Sequence, residues 1–143
     1  SHSDIIINEI YANPAGDEGA PMPDGEWVEL YNKGNWSIDI NGWYLYDAID
    51  SHDLPITATN VGGGSTIIPA KGYLAVYRNT DPLFSLNNDT DNVRLYDGEI
   101  GVGNLINSHS YTGTVEAKSW SGMPNGAGSW SDNHIPTPGG VNV

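Results

Sequence analysis

Two glutamates carry the most pointed chemistry in this 143-residue chain. Glu9 lies in the run Ile5-Ile6-Ile7-Asn8-Glu9-Ile10, and Glu29 lies in Glu26-Trp27-Val28-Glu29-Leu30-Tyr31-Asn32. Both runs are rich in β-branched or aromatic residues and read as strands. Alternation then places Glu9 with Ile5 and Ile7, and Glu29 with Trp27 and Tyr31. If the two strands pair in register, the carboxylates face each other. A like charge at close range raises one carboxyl pKa, which is what acid/base hydrolysis uses. The structural alternative is that each carboxylate accepts hydrogen bonds from turn N–H groups or an indole and ties strands together.

Oxygen-rich segments suggest a second chemistry. Asn87-Asn88-Asp89-Thr90-Asp91 offers Asn87, Asp89 and Asp91 as ligands, and calcium takes six to eight oxygens from carboxylates, amides and backbone. The spacing is not that of a helix-flanked calcium loop, and Asn and Asp are also the residues turns prefer. Asp47, Asp50 and Asp53, with His52 among them, form a second candidate set. Calcium is therefore the one cofactor expected. His2, His52, His109 and His134 lack zinc-like spacing. In Ser108-His109-Ser110 strand alternation turns both serines away from the imidazole, which argues against a catalytic triad. Gly62-Gly63-Gly64 precedes no lysine and reads as a loop rather than a phosphate cradle. Among the tryptophans, Trp36, Trp120 and Trp130 are candidates for a ligand-binding face, although aromatics at strand spacing also build cores.

Charge narrows the partners. Lys33, Lys71, Arg78, Arg94 and Lys118 stand against eighteen acidic residues, for a net charge of −13. Binding nucleic acid through phosphate neutralisation is excluded by so few scattered cations. An acidic surface instead suits cations, basic partners or solubility. The chain has no cysteine, so neither a disulfide framework nor a Cys-based zinc site can form. It also lacks any apolar run long enough to span a bilayer as a helix. Ser1-His2-Ser3 reads as the remnant of an expression tag. Residues 4–143 are then expected to form one domain of a longer protein, which is a size that can bury its own core.

The elements that must position these residues are short strands. Beyond the two glutamate runs, strands are expected near Ile38 and Ile40, over Trp43-Tyr44-Leu45-Tyr46, and across 92–96, Leu105–Thr112 and 117–120. Residues 65–68 and 73–78 read as a hairpin turning at Pro69-Ala70-Lys71-Gly72. Residues 12–25 and 47–64 read as long loops. No helical period runs for ten residues, and eighteen glycines and nine prolines would interrupt one. The expected class is all-β, an antiparallel sandwich of about seven to nine strands.

The order of the motifs adds a resemblance. Asn8-Glu9-Ile10, Glu26-Trp27-Val28-Glu29-Leu30-Tyr31-Asn32, Gly42-Trp43-Tyr44-Leu45, the segment 68–74, residues 91–98 and Pro136-Thr137-Pro138-Gly139-Gly140-Val141-Asn142 resemble, in sequence, the lamin-tail domain family. The resemblance implies an immunoglobulin-like β-sandwich. It is nearer the bacterial and archaeal branch, whose members often serve as modules of secreted or surface proteins. No flanking heptads point to a filament. Trp120-Ser121-Gly122-Met123-Pro124 lacks the arginine often found near that proline, and the family supplies no catalytic residues to carry over.

The expected function is a non-catalytic binding module of a larger extracellular or cell-surface protein, with a protein or glycan ligand and calcium as a stabiliser. One alternative is a metal-dependent hydrolase, of nuclease or glycosidase type, using surface carboxylates. Another is an acidic binder of a basic protein, which would be strongly salt-sensitive.

Overall fold

The computed structural model describes residues 1–126 and 129–143. Among them the chain forms eleven strands and no α-helix. The strands are β1 (Ile5–Tyr11), β2 (Trp27–Asn32), β3 (Ile38–Asp39), β4 (Tyr44–Tyr46), β5 (Asp53–Pro55), β6 (Ile67–Ile68), β7 (Tyr73–Tyr77), β8 (Thr90–Tyr96), β9 (Leu105–Thr112), β10 (Ser119–Gly122) and β11 (Trp130–His134). They build a five-stranded sheet in the order β11-β10-β1-β2-β7, a four-stranded sheet in the order β5-β4-β8-β9, and a two-stranded β3-β6 pair. Every ladder is antiparallel.

Two strands exceed the sequence expectation. β5 lies inside the segment 47–64 that reads as a loop; its Pro55 would argue against a central strand but is tolerated at this sheet's edge. β11 completes the opposite edge of the larger sheet, pairing Gly122 with Trp130.

The expected hairpin across 65–78 does not form. β6 pairs with β3, Ile38 opposite Ile68, whereas β7 pairs with β2, Leu30 opposite Leu74. The turn 69–72 therefore carries the chain from one sheet to another. Asn32 fixes this crossing: its side-chain amide donates to Ile68 O at 3.0 Å, and its backbone N–H donates to Gly72 O at 2.9 Å. The turn is tight, since a Cβ on Gly72 would lie 2.8 Å from Pro69 Cγ.

One apolar core fills the space between the two larger sheets. Ile5, Ile7, Ile10, Val28, Leu30, Leu74 and Val76 meet Leu45, Leu54, Val93, Leu95 and Tyr111, with Phe84 and Leu86 closing one side. Each such side chain stabilises the fold by about 1.5–3 kcal/mol relative to exposure. The outer face of β2 and β7 is covered as well: Trp27, Ala75 and Tyr77 form a second cluster, against which Tyr11 and Met22 pack.

A β-bulge in β1 changes which face Glu9 occupies. The β1–β2 register slips between Ile7 and Glu9. Before the slip Ile5 and Ile7 enter the core; after it Ile10 and Ala12 do. Glu9 is thereby moved to the face opposite Ile5 and Ile7, correcting the simple alternation read from the sequence. It now lies on the same side as Glu29, directly across the ladder.

Candidate functional site

Glu9 and Glu29 are both fully buried and are Cα partners across β1 and β2. Burial without partners would be costly, and every oxygen of both carboxylates accepts at least one hydrogen bond from this same chain. Ser119 Oγ donates to Glu9 Oε2 at 2.6 Å, Thr137 N donates to the same oxygen at 3.0 Å, and Thr137 Oγ1 donates to Oε1 at 2.7 Å. On Glu29, Asn8 Nδ2 donates to Oε1 at 2.8 Å and Gly140 N donates to Oε2 at 2.9 Å. The tail that supplies Thr137 and Gly140 is anchored again at Asn142. Its amide donates to Asn8 O at 2.9 Å and Gly122 O at 2.8 Å, while its backbone N–H donates to Asn125 Oδ1 at 3.0 Å.

The electrostatics follow from this burial. Desolvation pushes the Glu29 carboxyl up to about 8; the Asn8 amide opposes the rise, the Glu9 charge adds to it, and the Gly140 N–H opposes it again. Burial also raises Glu9, against the pull of Ser119, Thr137 and the nearby His134. A third buried carboxylate, Glu26, behaves alike. Leu86 N approaches both of its oxygens, at 3.2 and 3.1 Å, and Arg78 Nη1 donates to Oε1 at 3.1 Å. Its desolvation outweighs both contacts and lifts the carboxyl to about 8. These three glutamates join strand to connection: Glu26 ties β2 to the segment before β8, and Glu9 and Glu29 tie β1 and β2 to the tail.

Of the expected metal ligands, Asp47, Asp91 and Asp50 have side-chain partners within the chain. Asp47, buried, accepts Ile49 N at 2.9 Å and Ser85 N at 3.0 Å, and faces His52 Nδ1 at 2.8 Å. Asp91, also buried, accepts Ala48 N at 3.0 Å, Asn92 N at 2.8 Å and Asn87 N at 3.0 Å. Two segments kept apart in the sequence thus meet: Asp47, Asn87 and Asp91 line one cavity of about 250 Å³ with His52. Asp50 lies outside it in an ion pair with Arg94 at 2.7 Å, Asp53 is on β5, and the exposed Asp89 offers its backbone carbonyl to the Gly113 N–H. Among the described residues no three His, Cys, Asp or Glu side chains group so as to hold a metal ion.

The candidate ligand aromatics also divide. Trp36 is 79% exposed. Trp120 and Trp130 pack against the core; Trp120 Nε1 donates to Gly113 O at 2.7 Å, and Trp130 stacks on His109 with ring centroids 3.8 Å apart. His109 is pushed down by burial. Sequence reasoning named the closing Pro-Thr-Pro-Gly-Gly-Val-Asn only as a family signature. Its role as the donor set for Glu9 and Glu29 was missed, as was Glu26. The signal available was the combination of a hydroxyl, two glycines with free N–H groups and an asparagine, all suited to filling buried acceptors.

Two facing antiparallel sheets around a single core define an immunoglobulin-like β-sandwich module. The chain belongs to the Lamin Tail Domain family, whose model matches residues 1–113. Neither the comparison with curated proteins nor that with solved structures gives a match. The family match spans β1 to β9 and ends at Gly113, so β10, β11 and the closing tail lie beyond it. Among the described residues no helix is long and apolar enough to cross a membrane.

Proposed function

We propose that this domain is a non-catalytic interaction module of a larger secreted or surface-displayed protein, presenting its connections and exposed side chains to a protein or glycan partner. The observation that carries the reading is the closure of the Glu9–Glu29 pair by Thr137 and Gly140. A hydrolytic pair must turn at least one carboxylate oxygen toward substrate or water. Here the chain's own donors take those positions. Calcium is not required by this reading, because the oxygens of Asp47 and Asp91 already serve backbone N–H groups. Trp36, exposed beside the β3–β6 pair, is the aromatic best placed to meet a partner.

The test sets the folded domain against nuclease and glycosidase substrates, with and without divalent metals, and against glycan and protein arrays. The expected result is binding that Trp36→Ala weakens, with no turnover. Turnover that disappears in Glu29→Gln would establish the hydrolase instead.

A further inference from the structure

The connection between β1 and β2, residues 12–25, is long for a link between adjacent antiparallel strands, and it is folded rather than slack. Ala20 N donates to Asp17 O at 3.2 Å, Asp24 N to Pro21 O at 3.0 Å and Glu26 N to Glu18 O at 2.9 Å. Met22 N donates to Asn79 Oδ1 at 3.0 Å, pinning the connection to the far end of β7. Gly25 closes it with φ +77°, and a Cβ there would lie 2.7 Å from Glu18 O, so only glycine fits. A side chain bound here would meet a preformed surface, which lowers the ordering cost of binding.

This connection encloses a cavity of about 340 Å³ whose lining includes Tyr11, Pro14, Pro23, Asp17 and Asp24. The Tyr11 ring is held in place by stacking on Trp27 at 5.2 Å between centroids. The apolar walls are therefore a fixed aromatic ring and two proline rings. Asp17 Oδ1 accepts Gly19 N at 3.0 Å, which leaves its second oxygen without a partner among the described residues. The Asp24 carboxylate makes no hydrogen bond or ion pair among them either. The guanidinium nearest the connection, Arg78, packs over Gly19 but is committed to Glu26 and to Asp81 O. The cavity thus presents carboxylates without a cation, in a chain of net charge −13.

We propose that the 12–25 cavity is a docking site for a basic side chain, arginine in particular, carried on a partner peptide. An arginine stem lies well against proline and tyrosine rings, and its planar guanidinium can stack on the ring while its fork of N–H donors meets carboxylates. Lysine brings the same charge as a compact, strongly hydrated group and gains less from the rings. The inference deepens the interaction-module reading and rests on it.

The test is an NMR titration of the isotope-labelled domain with acetyl-Gly-Arg-Gly-amide, alongside the norleucine and glutamate versions of that peptide. Saturable amide shifts confined to residues 11–27 and their contacts, largest for arginine and absent for glutamate, are expected. The double substitution Asp17→Asn and Asp24→Asn should weaken arginine binding about tenfold, the combined effect of two exposed charge pairs. The amide oxygen that Asp17→Asn leaves in place can still accept the Gly19 N–H, so the connection keeps its shape, and the variant's own spectrum reports that directly. Shifts scattered over the acidic surface, equal response to norleucine, or undiminished binding by the double variant would each overturn the site. Hydrolytic turnover, by contrast, would overturn the module reading itself, so the two failures are distinguishable.

Discussion

Glu9 and Glu29 stand opposite each other on β1 and β2, and one tail segment closes over both, with Thr137 on the first and Gly140 on the second. The arrangement buries two acids and lets the protein's own donors hold them. Its consequences can be measured through pH, through the tail, and through the acids nearer the surface.

Glu29 has a carboxyl raised by burial from 4.5 to about 8. The folded state therefore holds its proton more tightly than the unfolded state does. The associated stability is complete below the unfolded value, near 4.5, and is lost as pH climbs through about 8. Glu26 adds a slope of the same sign. Thermal melts should thus show falling stability across that window, by a few kcal/mol for one such group. In Glu29→Gln part of that slope should vanish, so the variant loses less than the wild type on going to alkaline pH. Parallel pH curves for the two proteins would sink the assignment.

Asn142 fills two buried carbonyls, Asn8 O and Gly122 O. Asn142→Ala leaves both without a donor, and about 1–3 kcal/mol of stability should go with them. Val143 next to it is exposed, and Val143→Ala should change stability by no more than about 0.5 kcal/mol. Urea midpoints of the two variants make the comparison. Equal midpoints would mean the tail is only laid against the sheet and not fastened to it.

Asp91 receives the N–H groups of Ala48, Asn87 and Asn92. Asp91→Ala should cost about 2 kcal/mol or more, since each orphaned buried donor costs about 1–3 kcal/mol. Because the carboxylate serves the backbone, wild-type melting should be the same in chelator and in millimolar calcium chloride. A calcium-dependent rise in the wild type that Asp91→Ala abolishes would restore Asp91 as a metal ligand.

Much of the sandwich is readable from residue pattern alone. The β-branched run of β1, the Trp-Val-Glu-Leu-Tyr run of β2, and the alternation Val93 and Leu95 against Asn92 and Arg94 in β8 each encode a strand with one face in the core. What pattern cannot encode is partner choice. Residues 65–78 carry every local sign of a hairpin, yet Asn32, thirty-six positions before Ile68, sends the two halves to different sheets. Glu9 illustrates a different limit. Its strand was legible, but one slipped register position reversed its face, and only the ladder with β2 determines where the slip falls. The carboxylate pair was visible as a possibility, whereas its occupants, 128 and 111 positions away at Thr137 and Gly140, were not.

The sheet order β11-β10-β1-β2-β7 also sets a timetable. β1 is a central strand flanked by β2 on one side and by β10 on the other, so one of its edges is open until residue 122 has emerged from the ribosome. Asn142 meets Asn8 across 134 positions, and loop-closure entropy of that span must be met before the contact gives anything back. During synthesis, the early strands therefore wait with an unpaired β1 edge and uncompensated acids. A nascent chain of this topology depends on late residues to pair its first strand and cover its buried acids, and its vulnerable interval lasts until the tail seats.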